Sequence, residues 1–204
     1  MNVFYNKEHV GDVLLVQLAT EAIVKTVVER AGDIAILKEA QTGEIKAFNL
    51  FNASNYVQTE ARGNVEVTPA FVAQLEAAIA KNGATISLDV DFSPKFVVGY
   101  VETKEKHPNA DKLSICTVNV GEKNLQIVCG APNVEAGQKV VVAKIGAVMP
   151  SGMLIKEGNL RGVDSFGMLC SARELAIPNA PSEKGILVLP EEAEIGSAFE
   201  APTR

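Results

Sequence analysis

From residue 94 to residue 190 the sequence never holds a helical period. Apolar residues instead alternate or cluster over 96–101, 113–120, 125–128, 139–145 and 185–189, and glycines or polar turn residues separate the runs. Short apolar runs bounded by turn residues read as strands. Gly121-Glu122-Lys123-Asn124 is placed to turn the second run back into the third. Short strands with Gly-rich corners expose their edges unless the sheet closes on itself. The economical architecture is therefore a small closed barrel, the five-stranded OB fold.

The residues before this region read differently. Apolar clusters at 13–18, 23–28, 34–37 and 45–50 are broken at Gly11-Asp12, Ala31-Gly32-Asp33 and Thr42-Gly43, which predicts an antiparallel meander of short hairpins. One helix follows with both ends marked. Thr68 can cap it, Pro69 suits its first turn, Lys81 faces its negative end and Gly83 can supply the left-handed stop. Phe71, Leu75, Ala78 and Ile79 fall on one face and should be buried. Charge and proline interrupt the pattern at 89–94. The expected organisation is mainly β with minor helices: a small α+β domain at 1–92, then a barrel domain at 93–204.

A chain of 204 residues that is 47% hydrophobic can fill two such cores. It has no run of eighteen apolar residues, and its start lacks the basic and apolar segments of a signal peptide, so a soluble cytoplasmic protein with no membrane partner is expected. Cys116, Cys129 and Cys170 are scattered and odd in number, which suits a reducing compartment and buried, inert thiols. With His9 and His107 as the only histidines, no metal site is expected, and no phosphate loop or other cofactor signature appears. His107 has only Asp111 nearby in sequence, without a nucleophile, so no catalytic residue is assigned.

Net charge is −6, but it is unevenly spread. Residues 1–93 carry 7 basic against 12 acidic residues, 94–173 carry 10 against 7, and 174–204 carry 2 against 6. The basic excess sits in the barrel region. Lys104, Lys106 and Lys112, on the segment joining the first two strands, are candidate phosphate contacts, although Glu102, Glu105 and Asp111 offset them. Asn109 and Asp111 could equally hold a turn through their side chains, with Asn109 kept as a contact candidate. Lys144, Lys156, Arg161 and Arg173 lie in a Gly-rich region whose backbone can approach a phosphate.

Four stretches, FVVGYVETKEKHPNADKLSICTVNVG (96–121), LQIVCGAPNV (125–134), GAVMPSGMLIKEGNLRGVDSFGMLCSARELAI (146–177) and KGILVLP (184–190), resemble in order the tRNA-binding domain of the bacterial phenylalanyl-tRNA synthetase beta subunit. With the preceding ninety residues, the chain is similar to the YtpR-type tRNA-binding proteins of Gram-positive bacteria. The resemblance implies a barrel that recognises folded tRNA. It adds Asn133, Ser165, Met168 and Ser171 as contact candidates, with Met168 and Leu169 also expected to fill the barrel. The chain has no room for an adenylate-forming core, so a non-enzymatic tRNA binder is expected. Few aromatic residues are available for base stacking, which favours readout of shape and phosphate.

A second reading is kept: an OB-type protein-binding module or export-type chaperone, since related barrels serve both roles. A homodimer, and a protein partner for the N-terminal domain, complete the partner expectations.

Overall fold

The computed structural model describes residues 1–19 and 25–201. It divides into two units, Met1–Phe92 and Ser93–Arg204. Ile23 and Val24, part of the 23–28 cluster, lie outside the described residues.

In the first unit the strands are β1 (Asn2–Tyr5), β2 (Val13–Gln17), β3 (Thr26–Ala31), β4 (Ile34–Glu39), β5 (Ile45–Phe51) and β6 (Gly63–Asn64), followed by helix α1 (Pro69–Lys81). All pairings are antiparallel, in the order β3-β4-β5-β2-β1-β6. The sheet is thus not the simple meander expected. β1-β2 and β3-β4-β5 each run in sequence, but β5 then docks on β2 and β6 on β1, so the strands do not follow one another across the sheet. The alternation of β1, β2, β4 and β5 places Val3, Val16, Phe48 and Ile36 in one cross-strand row on a single face. That face is buried against Phe71, Leu75, Ala78 and Ile79 of α1. Each of the buried Val, Leu, Ile and Phe side chains here contributes about 1.5–3 kcal/mol.

The helix ends where its residues dictate. Thr68 Oγ accepts the N–H of Phe71 at 3.2 Å. Gly83 takes φ 70°, and Ala84 N–H reaches back to the Ile79 carbonyl at 3.1 Å.

In the second unit the strands are β7 (Phe96–Lys106), β8 (Ser114–Asn119), β9 (Asn124–Cys129), β10 (Lys139–Lys144), β11 (Gly158–Leu160), β12 (Val163–Ser165), β13 (Gly167–Leu169) and β14 (Val188–Leu189). The main sheet runs β13-β10-β7-β8-β9, with β14 also on β10. Its open side is brought nearly shut by the corner between β12 and β13. Phe166 N–H donates to the Gln126 carbonyl at 2.9 Å, and Gln126 Nε2 donates to the Asp164 carbonyl at 2.7 Å. The result is a nearly closed barrel around Val101, Cys116, Val118, Ile127, Val140 and Val142.

Two expectations need correction. Residues 102–106 are not a loop: β7 continues through a register shift between Val101 and Thr103, because β8 is long enough to pair with it. The strand that bridges β10 toward β9 is β13, not the 185–189 run, of which only Val188 and Leu189 pair. A run as short as Gly167–Leu169 has no period of its own. What permits it is Gly167, where a Cβ would stand 2.9 Å from the Ala143 carbonyl oxygen.

Candidate nucleic-acid interface

One junction organises the barrel's candidate site. The loop after β7 carries His107, which is 2% exposed. Its Nδ1 accepts the N–H of Asn109 at 3.0 Å, so Nε2 carries the proton and donates to the Leu160 carbonyl at 3.0 Å. Asn109 Nδ2 adds a bond to the Arg161 carbonyl at 3.1 Å. The histidine is a strut between the loop and the tip of the β11–β12 hairpin, where Arg161 takes φ 54°. Both ring nitrogens are committed to backbone, which leaves none for acid–base work.

This junction brings together Lys106 at the end of β7, Lys112 on the loop after it and Arg161 on the hairpin tip fastened to that loop, all exposed. Lys106 also pairs with Asp111 at 3.3 Å, an ion pair so exposed that it constrains little. Leu160 continues the surface into an open cleft of about 560 Å³, lined also by Gly130, Met168, Arg173, Lys184 and Gly185. The backbone of Lys112 passes Gly130, where a Cβ would lie 3.9 Å from its carbonyl oxygen. No lining residue is aromatic. Glu174 and Glu183 also line it, so the cleft is of mixed charge.

Of the remaining candidates Met168 and Ser171 line the cleft, and the others sit elsewhere or are already engaged. Lys104 pairs with Glu135 at 2.8 Å. Lys144 pairs with Glu122 at 3.2 Å and lines a different cleft with Ser93 and Gly196. Lys156 is exposed on the segment leading into β11. Ser165 is 5% exposed: its hydroxyl accepts the Val128 N–H at 3.1 Å and donates to the Gly167 carbonyl at 3.2 Å, so it braces the barrel seam with no donor to spare. Ser171 Oγ donates to Glu174 Oε2 at 2.6 Å, and its N–H donates to the same oxygen at 2.8 Å. Met168 is half-buried and packs outside the barrel, against the cluster of Val141, Ala143 and Cys170, while Leu169 fills the inside. Successive residues of a strand face opposite ways, so both could not enter the core.

Asn133 is the sharpest case. Its Oδ1 accepts the Ile186 N–H at 2.8 Å and its Nδ2 donates to the Ile186 carbonyl at 3.0 Å. The side chain acts as a short strand partner that holds 184–186 along the cleft. Gly185 is required there, because a Cβ would meet the Asn133 amide at 2.7 Å. Lys184 and Leu160, absent from the sequence-derived candidates, reach the cleft through this clamp and through the His107 strut respectively. Lys184 opens the last of the four resembling stretches, and that position was the available signal for it.

Burial raises all three thiols, Cys116 to about 11 and Cys170 to about 12, as expected for small core hydrophobes. Among the described residues no group of three His, Cys, Asp or Glu side chains is placed to hold a metal ion. None of their helices is long and apolar enough to cross a membrane.

The second unit is thus a nearly closed barrel of the OB type with an open cleft of mixed charge on its surface. Residues 96–198 match the family described as "Putative tRNA binding domain", and residues 23–91 match a domain of unknown function, DUF4479. The chain is 57% identical to the "Putative tRNA-binding protein YtpR" of Bacillus subtilis, over 98% of its own length and 100% of that protein's. It is 49% identical to the phenylalanine–tRNA ligase beta subunit of Oceanobacillus iheyensis and 55% identical to that of Campylobacter jejuni. Those matches cover 69% and 55% of this chain but only 17% and 15% of the ligase subunits. The chain belongs to the YtpR family, whose second half is this binding domain.

Proposed function

We propose that this chain is a non-enzymatic tRNA-binding protein of the cytoplasm that recognises folded tRNA through its barrel. The observation that carries the reading is one open cleft that holds Arg173 and Lys184 in its lining and reaches, through Leu160, the hairpin tip that carries Arg161. Family membership supplies the RNA class. The cations are spaced around a cleft without aromatic lining, an arrangement that suits contacts to a sugar–phosphate backbone of defined shape better than stacking of unpaired bases. Lys106 extends the contact onto the end of β7, Asn109 onto the loop after it, and Lys156 onto the approach to the hairpin. Asn133, Ser165 and Ser171 act by positioning the lining. Residues 1–92 serve as an adaptor or dimerisation piece.

The test is a filter-binding titration of the full chain with tRNA and with single-stranded DNA of equal length, at two salt concentrations. Tighter, salt-sensitive binding of tRNA is expected. Equal, weak binding of both would overturn the reading.

A further inference from the structure

The first unit ends on an unusual edge. At one side of its sheet, β6 has two residues; at the other, β3 has six, and among the described residues no strand pairs with its outer side. Val27 and Val28 on it are 45% and 57% exposed. Ala40 N–H donates to the Lys25 carbonyl at 2.8 Å, and the regular β3–β4 register carries that phase forward. Lys25, Val27 and Glu29 therefore bond inward to β4, while Thr26 and Val28 aim their N–H and C=O groups outward. A long edge of this kind is a template for another strand.

We propose that β3 pairs antiparallel with β3 of a second copy of this chain, about a two-fold axis at Val27. In this register Thr26 lies opposite Val28 of the second copy and Val28 opposite its Thr26, so the outward groups of both are satisfied. Val27 meets Val27, and Lys25 meets Glu29 at each end. Charge selects this register from its neighbours. An axis at Glu29 would set two carboxylates face to face, an axis at Val28 would bury Glu29 against Val27, and an axis at Thr26 would leave Lys25 against Val27. The lysine–glutamate pairs fall at positions not hydrogen-bonded across the new junction, where facing side chains approach most closely. Glu29 already meets Lys38 at 2.6 Å on its own chain, so it would sit between two ammonium groups. The isologous contact joins two sheets into one and covers the outward groups of Thr26 and Val28.

Sedimentation velocity of the full chain over a concentration series tests this. The wild type is expected to dimerise. Glu29→Lys and Lys25→Glu are each expected to weaken the dimer at least about tenfold, because each turns two attractions into two repulsions. The double variant, with both charges exchanged, is expected to dimerise again. Residues 25 and 29 of one chain lie about 13 Å apart along the strand, so rescue cannot arise within one copy. Val28→Pro removes an outward N–H that β4 does not use and should also abolish the dimer, with an unchanged melting curve showing that the fold survives. A monomeric wild type, single variants that dimerise normally, or a double variant that stays monomeric would each overturn the proposal.

Discussion

The side-chain amide of Asn133 brackets the backbone of Ile186, accepting its N–H at 2.8 Å and donating to its carbonyl at 3.0 Å. The segment 184–186 is thereby fixed along the cleft without belonging to a strand. Asn133→Asp keeps the acceptor but loses the donor, and sets a carboxylate against a carbonyl. A loss of about 1–3 kcal/mol is expected in urea unfolding. A smaller fall in RNA affinity at low temperature should accompany it, since the lining is loosened and not removed.

Arg173→Ala and Lys184→Ala are each expected to weaken tRNA binding. Each should reduce the slope of log affinity against log salt by about one, the signature of one lost phosphate contact. Lys104→Ala and Lys144→Ala are the controls. Their ammonium groups are committed to Glu135 and Glu122, and the slope should not move. Salt-dependent filter binding on the four variants checks this.

His107→Ala leaves the Asn109 N–H and the Leu160 carbonyl without their partner. A destabilisation of about 1–3 kcal/mol is expected, read by thermal unfolding of the full chain. Binding should fall with it, because Lys106, Lys112 and Arg161 are held in register by that ring.

Native Cys116, Cys129 and Cys170 should resist a disulfide-exchange reagent at pH 8 and react only after denaturation. Burial holds each thiol above its ordinary value of 9.0. The unfolded chain releases these protons first as pH rises. Stability from this source is therefore complete below about pH 9 and is lost as pH climbs through 11 for Cys116 and 12 for Cys170. Alkaline unfolding followed by circular dichroism measures the effect.

Asp12 carries the opposite sign. Burial pushes its carboxyl up, but the hydrogen bonds from Ser54 and Tyr5 outweigh this and hold it below the ordinary carboxylate range. Its contribution is present at neutral pH and is lost as pH falls through the lowered value. Asp12→Asn should flatten that part of the acid-unfolding curve and lower stability at pH 7.

Elements written in neighbouring residues were legible. Thr68, Pro69 and Gly83 bound α1 because caps and left-handed stops act within one turn, and the apolar run at 125–128 needed only its own alternation to declare β9. The OB-type barrel followed from strand number and corners, and the family from four ordered stretches. Strand order in the first unit was not legible, because nothing local tells β5 to seek β2 over a position further out. Nor was the barrel seam, where a three-residue strand exists through Gly167 and a buried serine.

The site divides along the same line. The sequence by itself determined which residue types were available: lysines and arginines among glycines, three inert cysteines, and a histidine without a catalytic companion. Only the tertiary structure decided how each is used, because a polar side chain's role depends on what lies across from it in space. Asn133 and Ser165 turned inward to backbone groups, Lys104 and Lys144 to carboxylates, and Lys184 to an open cleft. Those partners lie from about twenty to more than fifty residues away, beyond the reach of any local pattern.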